Sequence, residues 1–419
     1  MKFGKEDVRT TESALFPEQN YVVEESSRPV ILAFSDFYLP GYKSGGSMRT
    51  LVNTVDRLGR KFNFRIITRD HDGKSDKTPY EGVTPNAWNS IGNASVKYLK
   101  KKRITLAEVQ KIVEEVSPDA IYSNSYFSTF TILVLLLRKF RRIKATPIII
   151  APEGEISPAG LELKRGKKRL FMKAASALRL YDDIIWKTTS DLEASDVRGL
   201  TVKNASIFVA PNMPPTAILP QYRQNEKPLK EAGKLRLVYL SRIHPVKNLQ
   251  FLLEILGQVS GNVSLDVFGP VDADPEYIAT CHQLVDRLPD SISVEFKGGV
   301  EHDKVPQTLF NYEFFVLASL TENFGHVFLE ALAAGCPLVI SDRTPWVGLE
   351  KLGIGWDLSL DDRGRWVEIL DRCIQMEESE YAAISDRSRK YAEAWLANDE
   401  VELATVKVIE HSLGKSAVR

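Results

Sequence analysis

The stretch that decides the fold is residues 321–340, TENFGHVFLEALAAGCPLVI. Apolar residues follow Phe324 at helical spacing, and the closing run PLVI is typical of a buried strand. The segment therefore predicts a turn, a helix and a strand in succession.

Charged and glycine residues surround the start of that predicted helix. Glu322 and Glu330 bracket the turn, which contains Gly325. The free backbone N–H groups of Gly325, His326 and Val327 would point out of the helix N-terminus, and such an end favours an anion.

The same alternation of strand and helix extends in both directions. In the second half, strands are predicted at 235–240, 264–268, 292–296, 314–318 and 337–340, and helices at 248–258, 363–376 and 381–413. In the first half, strands are predicted at 30–34, 64–68, 120–123, 147–151, 184–187 and 206–210, and helices after 47, at 106–115 and at 127–139. Alternation of this kind favours parallel sheets with helices on both faces.

The alternation breaks at Pro211–Pro215, PNMPP, where we place a domain boundary. We predict a polar tail over 1–28, a first α/β domain over 29–211, a second over 212–380, and closing helices over 381–419 that cross back to the first domain. Two doubly wound domains in tandem create a cleft at the carboxyl ends of their strands, where open α/β sheets bind ligands.

Composition excludes several classes of protein. The 419 residues are 43% hydrophobic and 26% charged, which excludes disorder and fibrous repeats. Three scattered cysteines form neither a disulfide framework nor a zinc spacing, and indicate a reducing compartment. The charged N-terminus lacks the apolar core of a secretory signal, and the apolar run 130–137 is far shorter than the roughly 20 residues that span a bilayer.

The two halves differ in charge although the net charge is +0. Residues 1–211 carry 34 basic and 24 acidic side chains, which leaves 21 of the 55 basic and 31 of the 55 acidic residues for the second half. The first half is therefore suited to an anionic partner.

Cations and glycines are predicted at the same cleft. Arg242 and Lys247 in SRIHPVKNL follow the first strand of the second domain, a pairing that suits a diphosphate. Gly45 and Gly46, in the loop YKSGGS before a predicted helix, let backbone approach an anion closely.

Together these motifs resemble the retaining nucleotide-sugar glycosyltransferases of the GT-B fold, specifically glycosyltransferase family 4 of the glycosyl transferases group 1 superfamily. The family's E-x7-E signature is matched by Glu322 and Glu330, and its Arg and Lys pair by Arg242 and Lys247. The resemblance implies a GT-B fold of two Rossmann-like domains.

The resemblance also implies roles for individual residues. Arg242 and Lys247 would neutralise the departing nucleoside diphosphate, and Glu322 would contact hydroxyls of the donor sugar. The donor-binding residues would be Gly45, Gly46, Phe324, Gly325, His326, Val327 and Glu330, with Glu330 on the ribose. In this family retention proceeds on one face of the sugar, so no protein nucleophile, cofactor or metal ion is expected.

The first domain departs from the family pattern. Many members carry a His near the donor sugar there, whereas His71 is the sole His in residues 1–211. The loop PEGEISPAGLELKRGKKRLF resembles a subgroup in which an Arg often stands in place of Glu153. Glu153 and Glu155 thus fall where acceptor or sugar contacts are expected. His326 has two interpretations, one facing a sugar and the other facing solvent.

Asp70-His71-Asp72 reads as the DxD metal signature of another glycosyltransferase fold. The motif follows a strand and precedes Gly73, so we interpret it as a solvated turn and expect no metal site.

Two basic clusters, 97–103 and 164–173, bear on the partners. The second is interleaved with apolar residues, which indicates either a surface for anionic lipid or an ordinary solvated helix. We expect a cytoplasmic enzyme, peripheral at the membrane if its saccharide acceptor is lipid-linked. The aromatic interleaving of nucleic-acid platforms is absent from the sequence.

The sequence therefore predicts a hexosyltransferase that uses a nucleoside diphosphate-sugar, in polysaccharide or glycolipid biosynthesis. The alternatives are a nucleotide-sugar epimerase, a phosphorylase of similar architecture, or a nucleotide-sugar binder without activity. A nicotinamide-dependent oxidoreductase is disfavoured because no G-x-G-x-x-G follows either opening strand.

Overall fold

The computed structural model describes residues 28–41, 45–72, 78–100, 104–162, 165–200, 202–216, 226–270 and 275–414. Most of the predicted polar tail and residues 42–44 of the predicted anion loop lie outside this range. Within it the chain builds two sheets.

The first sheet is parallel except for one edge hairpin. In spatial order it contains β3 (Trp88–Ile91), β4 (Ala94–Leu99), β2 (Asn63–Arg69), β1 (Val30–Phe34), β5 (Ala120–Asn124), β6 (Ile148–Ala151), β7 (Ile185–Thr188) and β8 (Ser206–Val209). The hairpin β3–β4 is antiparallel and was not predicted.

Helices cover both faces of the first sheet. They are α1 (Gly46–Leu58), α2 (Leu106–Val116), α3 (Thr129–Lys139), α4 (Pro158–Glu162), α5 (Arg165–Ala177) and α6 (Asp191–Arg198). Ile31 and Ala33 of β1 pack into one core with α1, whereas Leu32 and Phe34 pack into another with α2 and α3. Alternate residues of one strand are thus buried on opposite faces, so β1 reads as a continuous apolar run.

The second sheet is fully parallel. Its spatial order is β11 (Ile292–Gly298), β10 (Asn262–Phe268), β9 (Lys234–Leu240), β12 (Phe314–Leu317), β13 (Leu338–Ser341) and β14 (Gly355–Leu358). This is the order 3-2-1-4-5-6 of dinucleotide-binding folds, with its switch point between β9 and β12. A ligand is expected beyond the carboxyl ends of those two strands.

The second sheet carries α7 (Leu249–Leu256), α8 (Pro275–Val285), α9 (Val305–Phe310), α10 (His326–Ala333), α11 (Leu349–Leu352), α12 (Arg363–Gln375) and α13 (Glu378–Leu396). The last helix, α14 (Glu400–Ser412), instead packs on β6, β7 and β8 of the first sheet. We call the first sheet with α1–α6 and α14 the first lobe, and the second sheet with α7–α13 the second lobe. The predicted helical stretch 381–413 is therefore two helices that belong to different lobes.

Candidate active site

The predicted cations follow β9 at the switch point. Pro245–Lys247 forms a short 3-10 turn, and His244 accepts a hydrogen bond from the N–H of Val246 at 3.2 Å. Nζ of Lys247 lies 2.5 Å from Oε1 of Glu322, which follows β12. The structure thus brings together two predicted site residues that are 75 positions apart.

The loop after β12 holds Glu322 from several sides. Ser319 donates to Oε1 of Glu322 at 2.9 Å, and the backbone N–H of Glu322 donates to the carbonyl of Arg343 at 3.1 Å. The side chain of Glu322 is 10% exposed. It is therefore a fixed carboxylate whose negative charge Lys247 compensates.

Gly325 gives α10 its starting geometry. Its φ is +79°, and a Cβ at this position would lie 2.5 Å from the ring of Phe328. Only glycine meets both conditions without strain. The helix begins at His326, two residues after the predicted start at Phe324. Phe324 is buried, and its carbonyl accepts a hydrogen bond from the indole of Trp346 at 2.6 Å.

The N-termini of α1 and α10 face one another across the cleft. A Cβ on Gly46 would lie 3.7 Å from Cδ2 of His326, and a Cβ on Gly45 would lie 3.7 Å from Nε of Arg242. Each helix N-terminus carries a partial positive charge, and Arg242 adds a full one. The predicted glycines, cation and α10 N-terminus are thus close together, and all three positive charges would favour an anion bound beside them.

His326 is buried and faces the first lobe. Its Nε2 lies 3.1 Å from Oγ1 of Thr50, and Thr50 gives its own proton to the carbonyl of Gly46 at 3.1 Å. Burial lowers the pKa of His326 to about 3, with Arg49 adding to the effect, so the ring is neutral and exchanges one hydrogen bond with Thr50. The interpretation of His326 as solvent-facing is wrong, because the side chain is enclosed between the lobes.

Glu330 lies one helical turn further along α10 and is 6% exposed. Burial raises its pKa to about 7, although Arg49 of α1 opposes that rise. Nδ1 of His302 lies 3.8 Å from Oε1 of Glu330. Burial also lowers the pKa of His302 to about 4, so this ring is neutral near pH 7. Glu330 is thus a buried carboxyl group with polar and charged neighbours from both lobes.

Glu153 lies in the loop after β6 with φ of +54°. Its Oε2 accepts hydrogen bonds from Asn212 at 2.9 Å and from Asn323 at 3.2 Å. Burial raises the pKa of Glu153 to about 7, with Lys187 opposing and Glu193 adding to the rise. The carboxylate therefore reaches the loop of Glu322.

Glu155 has a different environment. Its Oε2 accepts hydrogen bonds from the hydroxyl of Ser125 and from the backbone N–H groups of Tyr126 and Phe127, at 2.7, 2.7 and 3.0 Å. These contacts fix the turn between β5 and α3. Its acceptor role stays a prediction.

The Asp70-His71-Asp72 turn is more enclosed than predicted. Asp70 and Asp72 are 7% and 6% exposed, and Nδ1 of His71 lies 3.1 Å from Oδ1 of Asp70. The interpretation as a solvated turn is therefore wrong for these carboxylates. Among the described residues, no group of three or more His, Cys, Asp and Glu side chains is arranged to hold a metal ion.

Sequence reasoning missed several residues of the cleft. Each of them interacts with a residue from another element of the fold: Arg49, Thr50, Thr189, Asn212, His302 and Asn323. Of these residues, Asn323 alone could have been found from the sequence, since it lies within the motif of residues 321–340.

Comparison with known proteins identifies a matching family model and a matching fold. Residues 221–390 match the family described as Glycosyl transferases group 1. Two Rossmann-like lobes with a cleft between them define the GT-B fold of glycosyltransferases, which the chain has. The predicted fold class is thus confirmed, whereas membership of family 4 stays a prediction.

Solved structures share this fold over almost the whole chain. Sucrose-phosphate synthase from Thermosynechococcus elongatus is 17% identical with a TM-score of 0.72, covering 93% of this chain and 100% of that one. An α,α-trehalose-phosphate synthase (UDP-forming) from Burkholderia vietnamiensis is 15% identical with a TM-score of 0.64, covering 92% and 99%. Anabaena HepE in complex with UDP-glucose is 16% identical with a TM-score of 0.63, covering 91% and 98%. No curated protein sequence matches significantly.

Proposed function

We propose that the protein is a retaining hexosyltransferase that moves a sugar from a nucleoside diphosphate to an acceptor hydroxyl. The observation that carries the proposal is the meeting of two helix N-termini beside Arg242, with the Lys247 and Glu322 pair at the switch point. UDP-glucose in the complex of HepE and the match to the glycosyl transferases group 1 model support this class of donor.

The proposed site divides the donor among its residues. The N–H groups at the start of α10, together with Arg242 and Lys247, would hold the diphosphate and stabilise the charge that grows on it as the glycosidic bond breaks. Glu322 would accept hydrogen bonds from hydroxyls of the sugar, and Glu330 from those of the ribose. Gly45 and Gly46 would approach the phosphates from the first lobe.

The acceptor would bind on the first lobe, with Glu153 and Glu155 on that side of the cleft. With retention on one face of the sugar, the leaving phosphate would take the acceptor proton, so the reaction needs no protein nucleophile. The proposed mechanism also uses no metal or cofactor, because Arg242 and Lys247 supply the charge that a metal ion would supply.

We also propose a lipid-linked saccharide as acceptor, with peripheral contact to a membrane. Helix α5 supports this, because Arg165, Lys167, Arg169 and Lys173 are all exposed beside Leu170, which is 71% exposed. No described helix is both long and apolar enough to cross a bilayer. Contact would therefore be made by this basic, apolar face.

The experiment is a thermal-shift panel of UDP, GDP, ADP and their sugar conjugates, followed by transfer assays with the donor that binds. A ligand that binds the folded state alone raises the melting temperature. Lys247→Ala and Glu322→Ala should each lower turnover by roughly 10²-fold or more, the scale of losing one transition-state contact. The control is Lys390→Ala, a 67% exposed lysine in α13.

Three outcomes would contradict the proposal. Wild-type rates in both site variants would remove the site assignment. Conversion of the donor without any acceptor would indicate an epimerase, and binding without turnover would indicate a binder without activity.

A further inference from the structure

The loop that carries Glu322 is anchored to both lobes. On one side of the loop, Glu322 pairs with Lys247, and the carbonyl of Phe324 accepts from Trp346, all within the second lobe. The side chain of Asn323, the residue between them, contacts residues of the first lobe. Consecutive residues of one loop are thus held by different lobes.

The amide of Asn323 uses both of its polar atoms in that contact. Oγ1 of Thr189 lies 2.8 Å from Oδ1 of Asn323 and 3.0 Å from Oε2 of Glu193, so these two acceptors share its single proton. Nδ2 of Asn323 donates to Oε2 of Glu153 at 3.2 Å. A Cβ on Gly154 would lie 3.1 Å from Cβ of Asn323, so the two backbones approach closely there. An asparagine suits this position because its short side chain carries an acceptor and a donor together.

The first lobe holds the partners of Asn323 in a fixed arrangement. Glu193, which is 4% exposed, accepts from the N–H of Thr189 at 2.7 Å and from the N–H of Gly154 at 2.6 Å. This one carboxylate therefore joins the loops after β6 and β7.

A second buried chain of hydrogen bonds fixes Glu153. Nζ of Lys187 donates to Asn212 at 3.1 Å, and Asn212 donates to Glu153 at 2.9 Å. Lys187 and Asn212 are 1% and 2% exposed. The first-lobe partners of Asn323 are thus held by hydrogen bonds that do not involve the second lobe; we call this group of residues the receptor for Asn323.

We propose that Asn323 is a positioning residue, which places Glu322 in the sugar site only when the two lobes are in contact. The role of Glu322 in this inference rests on the proposed function, whereas the contact of Asn323 with the first lobe does not. The contact of Asn323 makes formation of the sugar site depend on closure of the cleft, because the loop would lose its first-lobe partners when the lobes separate. Hydrolysis of the donor by water in the open cleft would then be suppressed.

Two substitutions separate this role from simple folding of the loop. Asn323→Ala removes both side-chain hydrogen bonds and keeps only the long contact of Thr189 with the carbonyl of residue 323, at 3.5 Å. Asn323→Asp keeps an acceptor for Thr189 but brings a carboxylate against Glu153, where Lys187 and Glu193 are the other charged neighbours. Asn311→Ala, an exposed asparagine at the end of α9, is the control.

The first readout needs no ligand. Hydrogen exchange in peptides covering 185–193 and 319–325 should be faster in Asn323→Ala than in the wild type and the control. Unchanged exchange in both peptides would overturn the inference, whether or not the protein is a transferase.

The second readout uses UDP, GDP and ADP and their glucose conjugates. Asn323→Ala should bind the nucleoside diphosphate with wild-type affinity and lose roughly ten- to hundredfold in turnover, as expected for a misplaced contact group. The loss in Asn323→Asp should shrink as the pH falls below about 7, where Glu153 becomes protonated and can donate. If Asn323→Ala lost nucleotide affinity by the same factor as turnover, its role would be merely structural and the inference would be overturned. If the wild type bound no member of the panel, the proposed function alone would be overturned.

Discussion

At the residue scale, Glu330 shows how burial changes the behaviour of a carboxylate. Its pKa is raised to about 7 by burial, while Arg49 and His302 face it from two other elements. Because the folded state then holds a proton that the unfolded chain has lost, folding is less favourable once the pH exceeds the ordinary pKa of Glu. The contribution of Glu330 to the free energy of unfolding is therefore largest below about pH 4.5 and decreases as the pH rises to about 7.

We predict that Glu330→Gln makes the protein more stable than the wild type at pH 8, by on the order of 1 to 3 kcal/mol. The difference should become small at pH 5, since both side chains are then neutral in the folded state. Denaturant unfolding at the two pH values measures it, with the 66% exposed Glu368→Gln as control. The same difference at both pH values would contradict the assigned protonation.

At the scale of elements, the first turn of α10 depends on one glycine. Gly325 has a left-handed conformation, and Phe328 occupies the space that a Cβ would need. Phe328 packs in turn against Phe315 and Trp346. A side chain at Gly325 must therefore move the helix start or the aromatic core.

Gly325→Ala should accordingly lower the free energy of unfolding by about 1 to 3 kcal/mol, from left-handed strain together with the clash. It should also weaken binding of nucleoside diphosphate, because the N–H groups of His326 and Val327 shift. Gly166→Ala in α5, where nothing lies within 4 Å of an added Cβ, is the matched control. Urea unfolding and calorimetric titration give the two values, and equal effects at both glycines would contradict the argument.

At the scale of the whole molecule, charge distinguishes the two halves of the chain. The excess of basic residues in 1–211 includes the exposed face of α5 described above. Each basic side chain near an anionic bilayer contributes about 1 kcal/mol, and salt screens that attraction.

We predict that the protein co-sediments with vesicles containing phosphatidylglycerol at low salt and is released as salt increases. Lys167→Glu combined with Lys173→Glu should reduce binding at low salt by roughly 10²- to 10³-fold, since four units of charge change at about 1 kcal/mol each. Lys390→Glu on α13 should leave binding nearly unchanged. Absence of binding to anionic vesicles even at low salt would remove the membrane proposal.

The sequence predicted those parts of the structure that depend on local pattern. Apolar runs located most of the strands, the motif around Gly325 located Glu322, and the segment SRIHPVKNL located Lys247. Strands β3, β4 and β14 were not predicted. The hairpin had a signal in Gly92-Asn93, a pair that suits a two-residue turn.

Contacts between the lobes could not be predicted in the same way. Asn323 meets Thr189 and Glu153 at separations of 134 and 170 residues. Their approach follows from how two complete lobes pack, which no periodicity in the sequence records. The same holds for the burial of Asp70, because turn residues are usually exposed.

Helix α14 has a consequence for how the molecule moves. The chain still packs on α1 of the first lobe at Met213 and Pro214, and it lies on the second lobe at Lys227. It returns to the first lobe after Ala397, so the two bodies are joined at two separate points. Two bodies attached at a pair of points retain little freedom to slide or twist and can mainly swing about the line through both attachments. We therefore expect a door-like motion with its pivot along that line, so that one swing both admits a substrate and brings Asn323 back to its receptor.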